Sequence, residues 1–321
     1  MESILDNNEK FAMVALHGCL IDIASECTLP DGTRILLKLP ANLDSTWHRW
    51  LGEIRSKHLS ESNLIFLRKL GSTKPLILDD ESEKLRLEIN AFYALLPIFA
   101  AFEYAGADIL VGGIGDSEVR IQLLAQMRDY YVTGGMATSA LNSDHLMSVS
   151  RARLTLENLQ NQADQYRRLK AGLKILLDGL ENNIGMERLH QFVRALEAII
   201  IPKQGETRKQ FINRCQTFTI RNVPNSDILG EAYDMRSDAE HIHEWDRSLR
   251  NHPKTQRDSI ALQRTRQVET LVKSIYARIL LDEALSQHFQ TDDALAAFWK
   301  KTEPERRAIW GTRILDLTGV S

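Results

Sequence analysis

Short apolar runs give way to a three-and-four spacing about halfway along the chain, and that change of period divides it. Residues 11–16, 20–23 and 34–39 are apolar or β-branched runs of strand length, and Pro30-Asp31-Gly32 between the last two is a turn sequence. They predict a small antiparallel sheet. Residues 47–58 predict a short helix, 63–70 a strand, and 109–111 with 119–124 two further strands flanking Gly112-Gly113-Ile114-Gly115-Asp116. That glycine cluster lacks the Lys-Ser/Thr ending of a phosphate loop and is expected to turn a hairpin. The longest apolar stretch, residues 89–110, is interrupted by Asn90, Pro97, Glu103 and Asp108, so it reads as core and not as a membrane span.

From Ser148 onward the period becomes helical. Leu154, Leu156, Leu159, Ala163, Tyr166, Leu169, Leu173, Leu176, Leu177 and Leu180 predict one long amphipathic helix over residues 148–181, stopped by Asn182-Asn183-Ile184-Gly185. Later helices are expected over 186–200, 208–217, 226–244 and 256–287, with a short pair within 292–317 and Pro202, Pro224 and Pro253 between them. The expected fold class is α+β. A small, mainly antiparallel β domain with helices, residues 1–147, precedes an α-helical bundle with a long leading helix, residues 148–321.

Composition narrows the class. At 321 residues, with 43% hydrophobic and 26% charged positions, the chain can bury two ordinary cores. Cys19, Cys27 and Cys215 are odd in number and fall in no Cys-x-x-Cys spacing, which excludes a disulfide framework and a thiolate zinc site and leaves them as small buried hydrophobes. The first residues carry no basic region followed by an apolar run, so a cytoplasmic location is expected. A net charge of −3 excludes a uniformly basic nucleic-acid binder, so the distribution decides. Residues 247–266 hold Arg247, Arg250, Lys254, Arg257, Arg264 and Arg266 against the single acid Asp258. Such a stretch either holds a phosphate backbone or is an ordinary solvated face.

The chemistry of greatest interest precedes that stretch. In Leu229-Gly-Glu-Ala-Tyr-Asp-Met-Arg-Ser-Asp-Ala-Glu-His241, Arg236 and His241 leave one short helical segment on nearby flanks, where they could converge on one phosphate. Arg236 with Glu240 is also an ordinary i,i+4 ion pair. Glu197 lies on a strongly apolar helix, where a buried carboxylate needs a partner, and holding Arg236 is the role its position suggests. Tyr233, one turn before Arg236, reads as a packing residue. His241, His243, His252 and Asp246 do not form a metal site, since His-x-His on a helix does not aim both rings one way.

Three segments carry a family resemblance: Arg188-Leu-His-Gln-Phe-Val-Arg-Ala-Leu-Glu-Ala-Ile-Ile-Ile201, Glu206-Thr-Arg-Lys-Gln-Phe-Ile-Asn-Arg-Cys215 and Ala232-Tyr-Asp-Met-Arg-Ser-Asp-Ala-Glu-His241. In this order they resemble the HEPN superfamily, most of all its ApeA-type branch, over residues 184–290. The resemblance implies a helical bundle that forms a homodimer and, in active members, an endoribonuclease that uses neither metal nor cofactor, in a bacterial toxin or anti-phage role. Arg236 and His241 match the family's pair, and Ser237 is the polar residue after the arginine. The family commonly has Gly directly after the histidine, whereas this chain has Ile242 and then His243. On that reading His241 would take a proton from the ribose 2′-hydroxyl or give one to the leaving 5′-oxygen. Arg236 would hold the phosphate, leaving a 2′,3′-cyclic phosphate, and Arg247, Arg250, Lys254 and Arg257 would bind RNA. The other reading is a non-catalytic binding or dimerisation module that acts as a sensor or scaffold.

Overall fold

The computed structural model describes residues 8–39, 43, 45–72, 79–115, 118–241, 245 and 247–320. The chain divides into two compact units, Met1–Asp129 with Thr138–Leu154, and Tyr130–Ala137 with Thr155–Ser321. An N-terminal antiparallel sheet is followed by a helical region, the α+β class read from the sequence.

The first unit contains β1 (Glu9–His17), β2 (Ile21–Asp22), β3 (Cys27–Thr28), β4 (Arg34–Leu36), α1 (Ser45–Glu61), β5 (Leu64–Gly71), α2 (Asp80–Phe99), β6 (Gly106–Gly115), β7 (Glu118–Gln126) and β8 (Leu141–Asn142). The main sheet runs β3-β4-β5-β1-β6-β7, every neighbouring pair antiparallel. Its central strand explains the unbroken apolar run at residues 11–16. Phe11, Met13 and Ala15 join a core with Trp47, Leu51 and Leu59 of α1. Strand alternation sends Ala12, Val14 and Leu16 to the opposite face, and they too are buried. The neighbouring strand meets α2 through Phe66 and Phe92, ring centroids 5.1 Å apart.

Two sequence expectations need correction in this unit. Residues 80–99 form the helix α2, which was read only as part of an apolar core stretch. Asp79 caps it by accepting the Ser82 N–H at 3.1 Å, and Asp80, Glu81 and Glu83 occupy its first turn. The run 89–110 hid it because the run joins the end of a helix, a connector and the start of β6. The domain is mainly antiparallel as expected, with Ile21 and Leu141 registering in a separate parallel β2–β8 pair. Finally, the hairpin expected at the glycine cluster is present, but Gly112, Gly113 and Gly115 sit inside β6 and Asp116 lies outside the described residues. Gly112 stands at a register shift, where a Cβ would come within 2.5 Å of the Arg120 carbonyl oxygen.

The turn at Pro30-Asp31-Gly32 forms as expected, with Gly32 at φ +83° and its N–H donating to the Leu29 carbonyl at 2.8 Å. Asp31 is buried there, accepting from Arg153 Nε at 2.5 Å and from the Thr33 and Ser150 hydroxyls at 2.9 Å.

After α3 (Ser143–Gln160) the second unit contains α4 (Arg167–Glu181), α5 (Gly185–Ile200), α6 (Thr207–Cys215), α7 (Val223–Glu240), α8 (Arg257–Leu281), α9 (Glu283–Ser286), α10 (Asp292–Lys300) and α11 (Glu303–Trp310). The single long leading helix expected over 148–181 is therefore two helices. The chain breaks after Gln160, where Lys170 Nζ donates to the Gln162 carbonyl at 3.0 Å, and Tyr166 turns left-handed at φ +56° with its ring buried. No Gly or Pro marks this break, so the leucine period ran across it.

The apolar positions of α5, Leu189, Phe192, Val193, Leu196, Ile199 and Ile200, are wholly buried against α4, α7 and α8. Gly172 on α4 lets Tyr276 of α8 pass: a Cβ would lie 1.8 Å from the Tyr276 hydroxyl, which donates to the Ala195 carbonyl at 2.9 Å. Arg188 is buried and closes the C-terminal end of α4 through the Gly179, Leu180 and Asn182 carbonyls, while its Nη2 pairs with the buried Glu269 carboxylate at 3.0 Å. Among the described residues no helix is long and apolar enough to cross a membrane.

Candidate functional site

α5 and α7 pack side by side in opposite directions. Glu197, near the end of α5, meets Arg236, near the end of α7, with Nη2 to Oε2 at 3.1 Å. Trp245, just beyond α7, returns to the first residue of α5, where a Cβ on Gly185 would lie 3.9 Å from the indole. Taken together, the two contacts run α5 and the chain from Arg236 to Trp245 in opposite directions.

Arg236 is the hub of this face. Its side chain is 16% exposed and held by two carboxylates: Glu197, equally buried, and Glu240, which is 44% exposed and pairs with Nη1. The Nε atom is buried and has no hydrogen-bond partner among the described residues. Burial pushes the Glu197 carboxyl above the ordinary carboxylate range; Arg236 pulls it back and Glu240 pushes it further. The expected partnership of Glu197 with Arg236 is therefore present in the geometry.

Tyr233 packs against Phe211 with ring centroids 5.3 Å apart, and the Arg236 guanidinium carbon lies 6.0 Å from its ring. Burial and the Glu197 charge hold its phenol above the usual range. Ser237 is half-buried, and its carbonyl accepts the His241 N–H at 3.3 Å. His241 is exposed and forms the C-cap of α7, which thus ends at Glu240 and not at residue 244. Ile242, His243 and Asp246 lie outside the described residues.

The basic stretch divides by use. Arg247, Arg250 and Lys254 are exposed on the connection between α7 and α8. Arg257 is half-buried and donates to the His252 and Arg250 carbonyls at 3.2 and 3.4 Å. Arg264 pairs with Glu231 at 2.7 Å, as does His252, and Arg266 donates to the Gly135 carbonyl at 3.0 Å. Among the described residues no group of three His, Cys, Asp or Glu side chains is placed to hold a metal ion. Of the cysteines, Cys19 and Cys215 are buried as expected, with burial pushing the Cys19 thiol up to about 12, whereas Cys27 is exposed.

One titratable group escaped notice in the sequence. His190 shares a face of α5 with Arg194 and Glu197 at i, i+4 and i+7, a spacing that could have picked it out. It is half-buried, lies in the field of Arg236, Arg194, Glu187 and Glu240, and has no hydrogen-bond partner among the described residues. Burial holds its imidazole below the ordinary histidine range, Glu187 and Glu240 oppose that, and Arg236 and Arg194 add to it.

Compared with protein-family models, with curated proteins and with solved structures, the chain matches none.

Proposed function

We propose that the helical unit is a metal-independent endoribonuclease of HEPN type, with a toxin or anti-phage role, acting as a homodimer in the cytoplasm. The observation that carries the reading is the placement of a half-buried arginine five residues before a surface histidine at the end of α7, followed by the exposed cations Arg247, Arg250 and Lys254. Arg236 holds the scissile phosphate and offsets charge in the transition state. His241 moves a proton at the 2′-oxygen or at the leaving 5′-oxygen, since histidine is the side chain able to do both near neutral pH. A 2′,3′-cyclic phosphate results, and DNA is inert because it lacks the attacking hydroxyl.

Glu240 has a place in this chemistry. A phosphate arriving at Arg236 meets a guanidinium already flanked by two carboxylates, and Glu240 is the more exposed of them. Glu240 yields its place to the phosphate, while Glu197 keeps the arginine in position from behind.

The test is incubation of structured and single-stranded RNA with the protein in EDTA, beside the Arg236→Ala and His241→Ala variants. Cleavage by the wild-type chain and a loss of at least about a hundredfold in both variants is the expected result. Cleavage that persists undiminished in both sinks the assignment. A second reading, a non-catalytic module, draws on the double ion pair itself, because Glu197–Arg236–Glu240 also works as a clamp between α5 and α7. On that reading the alanine variants lose melting temperature and the wild type leaves RNA intact.

A further inference from the structure

We infer that His190 is the second proton carrier of the site, so that general base and general acid both come from one chain. The inference rests on the ribonuclease reading above and deepens it.

A lone arginine–histidine pair is short of one group, because cleavage to a cyclic phosphate needs a proton removed at one oxygen and another delivered at a second. The antiparallel register of α5 and α7 supplies a candidate. Starting from the Glu197–Arg236 contact, His190 lies seven residues back along α5, a rise of roughly 10 Å, and His241 lies five residues on along α7, a rise of roughly 8 Å. Opposite helix directions carry both to the same side of Arg236. By this rise His190 on α5 and His241 at the end of α7 stand at similar heights, each within roughly 10 Å of the level of Arg236.

The surroundings of His190 suit a base. Its imidazole is half-buried and has no hydrogen-bond partner among the described residues. Burial and the charges of Arg236 and Arg194 favour the neutral form, the form that accepts a proton.

The step balances as follows. A neutral His190 nitrogen takes the proton of the ribose 2′-hydroxyl as the 2′-oxygen forms its bond to phosphorus. The bond from phosphorus to the 5′-oxygen breaks with its electron pair on oxygen, and protonated His241 delivers its proton there. His190 ends protonated and His241 neutral, and exchange with water restores both. No oxidant, reductant or metal enters.

The experiment is a pH profile of single-turnover RNA cleavage in EDTA by the wild type, His190→Ala and His190→Gln, with RNA affinity and melting temperature measured on each. Both variants are expected to lose about a hundredfold or more in cleavage rate while RNA affinity stays within about twofold. The loss of rate on the acid side, where a base becomes protonated, should vanish with His190. Added imidazole should restore part of the rate of the His190→Ala protein only. Variants that cleave at the wild-type rate with an unchanged acid limb, or that lose rate only in step with melting temperature and without imidazole rescue, overturn the role of His190 and leave the Arg236–His241 reading standing. A wild-type chain that leaves every RNA intact overturns both.

Discussion

At Arg236 two carboxylates compete with any incoming phosphate, and they differ in what their removal would do. Glu240 is 44% exposed and stands in the last turn of α7, where the helix dipole disfavours an acid. Its pairing is worth at most about 1 kcal/mol, the scale of an exposed ion pair. Glu240→Gln is therefore expected to tighten RNA binding by up to about fivefold at low salt. Filter binding at matched ionic strength checks this, and an affinity that falls would show Glu240 to be a support of the site and not a competitor. Glu197 is the more buried partner, so its removal leaves Arg236 without the contact that ties it to α5. Much of this was legible in the chain. The Arg236, Glu197 and Glu240 partnership follows from an acid on the apolar second half of α5 and from i,i+4 spacing. His190 shares the Glu197 face by spacing, but its place relative to His241 was not legible, because that depends on the direction of α7 and spacing within one segment does not encode it.

Among the elements, α4, α5 and α8 depend on one buried charge cluster. Arg188 and Glu269 are 3% and 1% exposed, and Lys273 adds a second cation 3.6 Å from the Glu269 carboxylate. Burial pushes the Lys273 ammonium below the ordinary lysine range, and Glu269 opposes that shift. Removing one partner of such a pair strands the others out of water. Arg188→Ala is expected to cost roughly 3–5 kcal/mol in unfolding free energy, measurable by denaturant titration, and a loss under about 1 kcal/mol would show that the cluster does not hold the helices. The same elements show where period-based reading stops. Residues 11–16 gave a strand because six consecutive apolar residues fit a strand covered on both faces. The break between α3 and α4 stayed hidden because polar residues without Gly or Pro made the turn, with Tyr166 left-handed at its end and Lys170 closing it from the next helix.

For the whole molecule, charge is spread and not massed. A net charge of −3 gives no general attraction to nucleic acid, and Arg264 and Arg266 are spent inside the helical unit, so Arg247, Arg250 and Lys254 carry the reading of RNA contact. Replacing all three with alanine is expected to flatten the salt dependence of RNA binding. The slope of log affinity against log salt should fall by up to about 2, from roughly 0.7 per phosphate contact on single strands. An unchanged slope would place the phosphate contacts elsewhere. The α+β order was plain from the change in period near residue 148, whereas α2 was not, because apolar content alone does not separate a covered helix from a covered strand.

The most direct measurement is the chemistry of the cut ends. RNA digested in EDTA by the wild-type chain should carry 2′,3′-cyclic phosphates, and a substrate with a single 2′-deoxy sugar at the cut position should resist at that position alone. Ends bearing a 3′-hydroxyl, or cleavage at the deoxy position, would contradict a site in which a histidine activates the 2′-oxygen beside a phosphate held by Arg236.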